Sequence, residues 1–78
     1  MQFVYILRCS DKNLYTGCTE DLENRLNRHN AGYVPATKLR RPVALVTYVA
    51  FTDKYKAYDF ERYLKSGSGK AFLKKRFV

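Results

Sequence analysis

Two helical stripes in this sequence carry charges where hydrophobes are expected. Leu22, Arg25, Leu26 and His29 follow the i, i+3, i+4, i+7 spacing of a face turned to the core, and Ala57, Phe60, Glu61 and Leu64 repeat that spacing later in the chain. A charge buried alone is expensive, so Arg25, His29 and Glu61 each need a partner inside the fold or a site that opens to a ligand. Two phenols, Tyr5 and Tyr15, lie near the centre of an expected hairpin. A carboxylate, a guanidinium, an imidazole and two phenols suit phosphodiester chemistry, in which Glu61 holds a divalent metal and Arg25 neutralises phosphate charge. The alternatives are structural. Arg25 and Glu61 can form an ion pair with His29 as its hydrogen-bonded neighbour, and Tyr5 and Tyr15 can be cross-strand aromatics of the kind that stabilise any hairpin.

The elements that must position these residues follow from local pattern. Phe3 to Leu7 is β-branched and aromatic, and it runs into Ser10-Asp11-Lys12-Asn13, whose short polar side chains favour a turn. Leu14 to Cys18 reads as the return strand of a β-hairpin. Thr19 is the expected N-cap of a first helix, Glu20 and Asp21 suit its dipole, and Gly32 supplies its stop after roughly three turns. After a loop carrying Lys38, Arg40 and Arg41, Val43 to Phe51 is apolar on both alternating faces. That pattern is expected at the centre of a sheet covered on both sides by helices. Thr52 and Asp53 offer a cap for a second helix ending near Lys65, Ser66-Gly67-Ser68-Gly69 reads as a break, and a short basic helix runs from Lys70 to Arg76. The order β-β-α-β-α-α gives an α+β fold with a small three-stranded antiparallel sheet flanked by three helices.

Composition narrows the class. The chain has 78 residues, with 15 Lys or Arg against 7 Asp or Glu, a net charge of +8. It is expected to form a single domain over residues 1–78, with a core that buries only about 60% of the unfolded surface. Apolar residues at 46% and aromatics at 15% exclude a disordered basic tail. No apolar run approaches the ~20 residues of a membrane span, and no signal peptide is recognisable, so a cytoplasmic location without membrane contact is expected. Cys9 and Cys18 lack zinc-site spacing and read as reduced thiols. The excess positive charge calls for a polyanionic partner.

These residues, in this order, resemble the GIY-YIG nuclease domain, in the short stand-alone type related to the nuclease domain of the repair excinuclease. Phe3-Val4-Tyr5 matches the first half-motif and Tyr15-Thr16-Gly17 the second, with Arg25, His29 and Glu61 following in the family's order across essentially the whole chain. The resemblance implies metal-dependent hydrolysis of DNA phosphodiester bonds, in a repair or recombination setting, with DNA the expected partner ahead of RNA. By the same resemblance Glu61 would ligate Mg²⁺ or Mn²⁺, Tyr5 would help deprotonate the attacking water, and Arg25 would clamp the phosphate. Tyr15 would orient water or phosphate, and His29 would contact base or phosphate. The Tyr5 role demands a phenol pKa well below the usual ~10. Three departures stand out: Phe3 replaces the first glycine, Cys18 replaces a lysine of the excinuclease-type domain, and no Asn follows Glu61.

Lys38, Arg40, Arg41, Lys65, Lys70 and Lys74 are the candidate contacts to the nucleic-acid backbone. With no room for an appended specificity domain, binding is expected to run mainly through phosphates, and a partner protein could supply targeting. Two other functions fit the same charge and fold, a non-catalytic DNA- or RNA-binding module and a protein-interaction domain.

Overall fold

The computed structural model describes residues 1–77; Val78, the last residue of the expected domain span, lies outside the described residues. The elements are β1 (Gln2–Arg8), β2 (Leu14–Thr19), α1 (Leu22–Ala31), a 3-10 turn at Lys38–Arg40, β3 (Ala44–Phe51), α2 (Lys54–Lys65) and α3 (Gly67–Phe77). This is the expected β-β-α-β-α-α order of an α+β fold, and both strand pairings are antiparallel. Among the described residues no helix is long and apolar enough to cross a membrane.

The sheet order is β2-β1-β3, so the first strand, not the third, is central. The uniformly apolar run at 44–51 was expected there, and the structure corrects this. β1 is equally apolar and pairs on both sides, with Val4, Tyr5, Ile6 and Leu7 all buried. β3 is an edge strand. Leu45, Tyr48 and Val49 stay exposed, because the helices cover β1 and reach β3 mainly through Val46 and Phe51. Its apolar residues also make local ring contacts, Tyr48 with Phe3 at 5.8 Å and Phe51 with Phe60 at 5.7 Å between centroids.

Alternation along β1 divides the core in two. Val4 and Ile6 pack with Ala57, Leu64 and Leu73 of α2 and α3. Tyr5 and Leu7 point the other way, with Cys9, Val43 and the α1 residues Leu22 and Leu26 around them. Both cysteines are free.

Helix ends follow local chemistry, with two shifts from expectation. Asp21, not Thr19, caps α1, its carboxylate accepting from the Asn24 N–H at 3.0 Å, while Thr19 ends β2 and accepts from the Asp21 N–H at 3.1 Å. Gly32 stops the helix at φ 87°, in the left-handed region. Asp53 caps α2 by accepting from the Tyr55 N–H at 2.8 Å. The expected break over 66–69 shrinks to Ser66 alone, whose hydroxyl bonds the Tyr63 carbonyl behind it and accepts from the Gly69 N–H ahead.

α3 therefore starts at Gly67, three residues before the expected Lys70. Of its two glycines, only Gly69 is required by proximity. A Cβ at Gly69 would run into the Tyr63 carbonyl and the Leu64 backbone, whereas one at Gly67 would meet nothing within 4 Å. Gly69→Ala should therefore destabilise the protein by about 1–3 kcal/mol through overpacking. Gly67→Ala should be neutral or stabilising by up to about 1 kcal/mol. Urea unfolding of the two variants beside the parent protein checks the contrast.

Candidate active site

Tyr5 stands in the middle of β1, directly opposite Gly17 of β2. A Cβ at Gly17 would collide with the Tyr5 hydroxyl, so the glycine leaves the space the phenol occupies. Tyr15 pairs with Leu7, two positions along, which puts the two tyrosines on a diagonal with ring centroids 6.5 Å apart. His29, the buried residue of α1, closes a triangle of rings at 5.6 Å from Tyr5 and 5.3 Å from Tyr15.

The Tyr5 hydroxyl lies 2.8 Å from His29 Nε2, and His29 Nδ1 lies 2.7 Å from Thr37 Oγ1. All three residues are 0% exposed. The Thr37 hydroxyl donates to the Val34 carbonyl at 3.5 Å, so its oxygen is left to accept from His29 Nδ1–H. We assign the tautomer consistent with this arrangement, with the proton on Nδ1 and Nε2 accepting from the Tyr5 O–H. Leaving one of these groups unpaired would cost about 1–3 kcal/mol, and among the described residues no buried side-chain N or O lacks a partner.

Thr37 is the member that the sequence did not reveal. It sits in a loop with no periodicity, and that loop is fixed by contacts distant in sequence. Arg40 Nε donates to Asp11 of the hairpin turn at 2.7 Å, and the Ser10 N–H donates to the Arg40 carbonyl at 2.9 Å. Arg41 donates to the carbonyls of Lys38 and Asn30, at 2.8 and 3.4 Å. The Asn30 amide in turn holds both backbone groups of Val43. Arg40 and Arg41, candidate phosphate contacts by sequence, thus hold the loop that holds Thr37.

Arg25 and Glu61 both bear on the Tyr5 phenol, although they sit on different helices. The Arg25 guanidinium acts on it from one side, favouring the phenolate charge. Glu61 instead bonds Lys65 Nζ at 3.1 Å, so each member of the alternative Arg25–Glu61 ion pair has a different partner. Lys65 also lies over the Tyr15 ring, 5.9 Å from its centroid. The half-buried side chains of Tyr15, Arg25 and Glu61 form the open side of the site, its cleft, and Cys18 feels both of these charges, which places the position of the missing lysine beside it.

Burial pushes the Tyr5 phenol up to about 12, with Tyr15 adding to the rise, Arg25 opposing it and Glu61 reinforcing it. The expectation of a phenol depressed below 10 is not met by the protein groups alone. Withdrawal from water outweighs the single guanidinium. The same burial, with Arg25 second, lowers His29 below its ordinary 6.5 and keeps it neutral.

Of the remaining candidate contacts, Lys38 is exposed at the start of the 3-10 turn, and Lys65, Lys70 and Lys74 line one recess between α2, α3 and the hairpin. No cluster of three or more His, Cys, Asp or Glu able to hold a metal occurs among the described residues. Glu61, a half-buried carboxylate at the cleft, fits a hard cation that keeps most of its ligands as water, as Mg²⁺ does.

A family model described as GIY-YIG catalytic domain matches residues 1–76. A UPF0213 protein of Clostridium perfringens is 46% identical over 66 residues, spanning 83% of this chain and 71% of that protein. A UPF0213 protein of Pediococcus pentosaceus is 42% identical over 81 residues, spanning 97% and 84%. The solution NMR structure of a UPF0213 protein from Bacillus halodurans matches with a TM-score of 0.60 and 37% identity, over 96% of this chain and 84% of that one.

His29 makes stability pH-dependent. Its folded pKa lies below its unfolded value, so the stability it contributes is full above 6.5 and declines as pH falls toward the depressed pKa. Asp11, held below 3.8 by Arg40, titrates in a separate, more acidic window. Unfolding free energy measured by urea titration should drop between pH 6.5 and 5 in the parent protein, and His29→Gln should flatten that slope.

Proposed function

The chain belongs to the GIY-YIG family, and from that membership we propose that it is a divalent-metal-dependent endonuclease hydrolysing DNA phosphodiester bonds, in DNA repair or recombination. The observation that carries this reading is the buried Tyr5–His29–Thr37 chain with the Arg25 guanidinium bearing on its phenol end. A buried, fully connected proton path ending in a neutral imidazole goes beyond what hairpin stability requires.

Each residue then has a task. Arg25 turns to the scissile phosphate when substrate binds, and the phenol, otherwise wholly buried, opens to the attacking water. The water oxygen forms its bond to phosphorus as its proton passes to the Tyr5 oxygen. Tyr5 passes its own proton to His29 Nε2, and the pair of the breaking P–O bond leaves with the departing oxygen. The phenol is never required as a standing phenolate, so its high pKa does not obstruct the transfer. Thr37 fixes the imidazole so that Nε2 is the accepting nitrogen. Tyr15, on the cleft side of His29, orients water or phosphate. Glu61 would hold Mg²⁺ or Mn²⁺, which supplies charge neutralisation at the phosphate. The net charge of +8 supports DNA, and a targeting partner protein would supply site choice.

One observation favours a second reading, a non-catalytic DNA- or RNA-binding module. Tyr5 is 0% exposed in the free protein, and its phenol is pushed up to about 12. Nicking of supercoiled plasmid separates the two. The parent protein should nick in Mg²⁺ or Mn²⁺ and not in EDTA, and Glu61→Gln should slow nicking by about a hundredfold or more while salt-dependent DNA affinity persists. Equal nicking by both proteins, or none by the parent on plasmid, branched DNA and RNA, favours the binding module.

A further inference from the structure

Beside the cleft lies a recess of about 540 Å³, within the ~300–1,000 Å³ range of ligand pockets. Its walls come from the hairpin turn, the end of α2 and the exposed side of α3. Half-buried Leu14 and Tyr15 and exposed Ala71 line it above the buried Leu64 and Leu73, giving it an apolar floor, and Lys12, Lys65, Lys70 and Lys74 stand around it with no carboxylate among the lining residues. An apolar floor inside a cationic rim suits an occupant that is flat and apolar in one part and anionic in another. A nucleotide has that chemistry, its base against Leu14 and the Tyr15 ring and its phosphates on the ammonium groups.

Two residues belong to both the recess and the cleft. Tyr15 lines the recess and packs its ring 5.3 Å from that of His29. Lys65 lines it and bonds Glu61 at 3.1 Å. Whatever fills the recess is therefore adjacent to the position assigned to the scissile phosphate. Paired bases in a duplex are stacked inward and present mainly phosphates to such a surface, so a duplex can engage the lysines but leaves Leu14 and the Tyr15 ring uncovered.

We propose that this recess is a subsite for an unpaired nucleotide flanking the scissile phosphate, and that it directs the protein to DNA carrying a single-stranded segment next to the cut. The proposal rests on the nuclease reading for what lies next door, but the binding it describes does not need cleavage.

The test is therefore a fluorescence-anisotropy titration in EDTA, where nothing is cut. A labelled blunt duplex is compared with the same duplex bearing a short single-stranded overhang and with one whose overhang is abasic. The parent protein should bind the overhang DNA roughly tenfold more tightly than either of the others. Ala71→Phe places a ring in the recess from an exposed position of α3 and keeps every lysine. It should erase that preference and leave blunt-duplex affinity unchanged. Lys74→Ala, which keeps the recess open, should weaken overhang binding and reduce its salt dependence. Equal affinity of the parent protein for all three DNAs overturns the proposal, as does a preference that survives Ala71→Phe. If that variant fails to fold, the abasic comparison on the parent protein still decides. A parent protein that prefers the overhang yet never nicks DNA keeps the subsite and removes the nuclease reading.

Discussion

The structure is organised around one buried hydroxyl. Tyr5 Oη rests over Gly17 and meets His29 Nε2 at 2.8 Å, and three separate parts of the chain must be in register for that to occur. The hairpin must pair Tyr5 with glycine, α1 must turn His29 inward, and the loop before β3 must bring Thr37 to the far side of the imidazole. A one-residue slip in the hairpin would remove Gly17 from beneath the phenol and send alternate side chains to the wrong face. Stranding the phenol or the imidazole would cost about 1 kcal/mol or more each, a sizeable share of the stability of a domain this small. The site and the fold thus depend on the same contacts.

The overall chain path was legible because it rests on short-range signals. Alternation in Phe3 to Leu7, the Asp11–Asn13 turn, Gly32 and Asp53 each act within a few residues. The stripe that placed Arg25 and His29 on one face was legible for the same reason. What failed was nonlocal. An apolar run at 44–51 fits a central strand and also an edge strand whose outer residues stay exposed, and only the competing claim of β1 decides between them. Ser66 could terminate one helix and start the next only because Gly69 lets α3 lie against the last turn of α2.

The site was legible in part. Residue types and spacing pointed to Tyr5, Tyr15, Arg25, His29 and Glu61, and the structure draws Tyr5, Tyr15 and His29 into one ring cluster with Arg25 and Glu61 acting on its phenol. Thr37 carried no signal, since one threonine in a loop is ordinary until a histidine lies 2.7 Å away. Protonation also escaped the sequence, because burial decides it. Burial raises the phenol to about 12 and depresses the imidazole, so both rest neutral, and in the proposed mechanism His29 is the base and Tyr5 the conduit. The positive charge divides similarly. Arg40 and Arg41 are engaged in holding the Thr37 loop, whereas Lys65, Lys70 and Lys74 gather around one recess.

The central claim is that proton transfer in DNA cleavage runs from Tyr5 to a neutral His29. The pH dependence of the plasmid-nicking rate under saturating Mg²⁺ tests it most directly. A base whose pKa lies below 6.5 predicts a rate that falls on the acid side of that value and is level from about pH 7 to 9, with the acid limb lost in His29→Gln. A rate that instead climbs about tenfold per pH unit through pH 7 to 9, in the parent protein and His29→Gln alike, would mean that hydroxide or a tyrosinate is the base and would contradict the account.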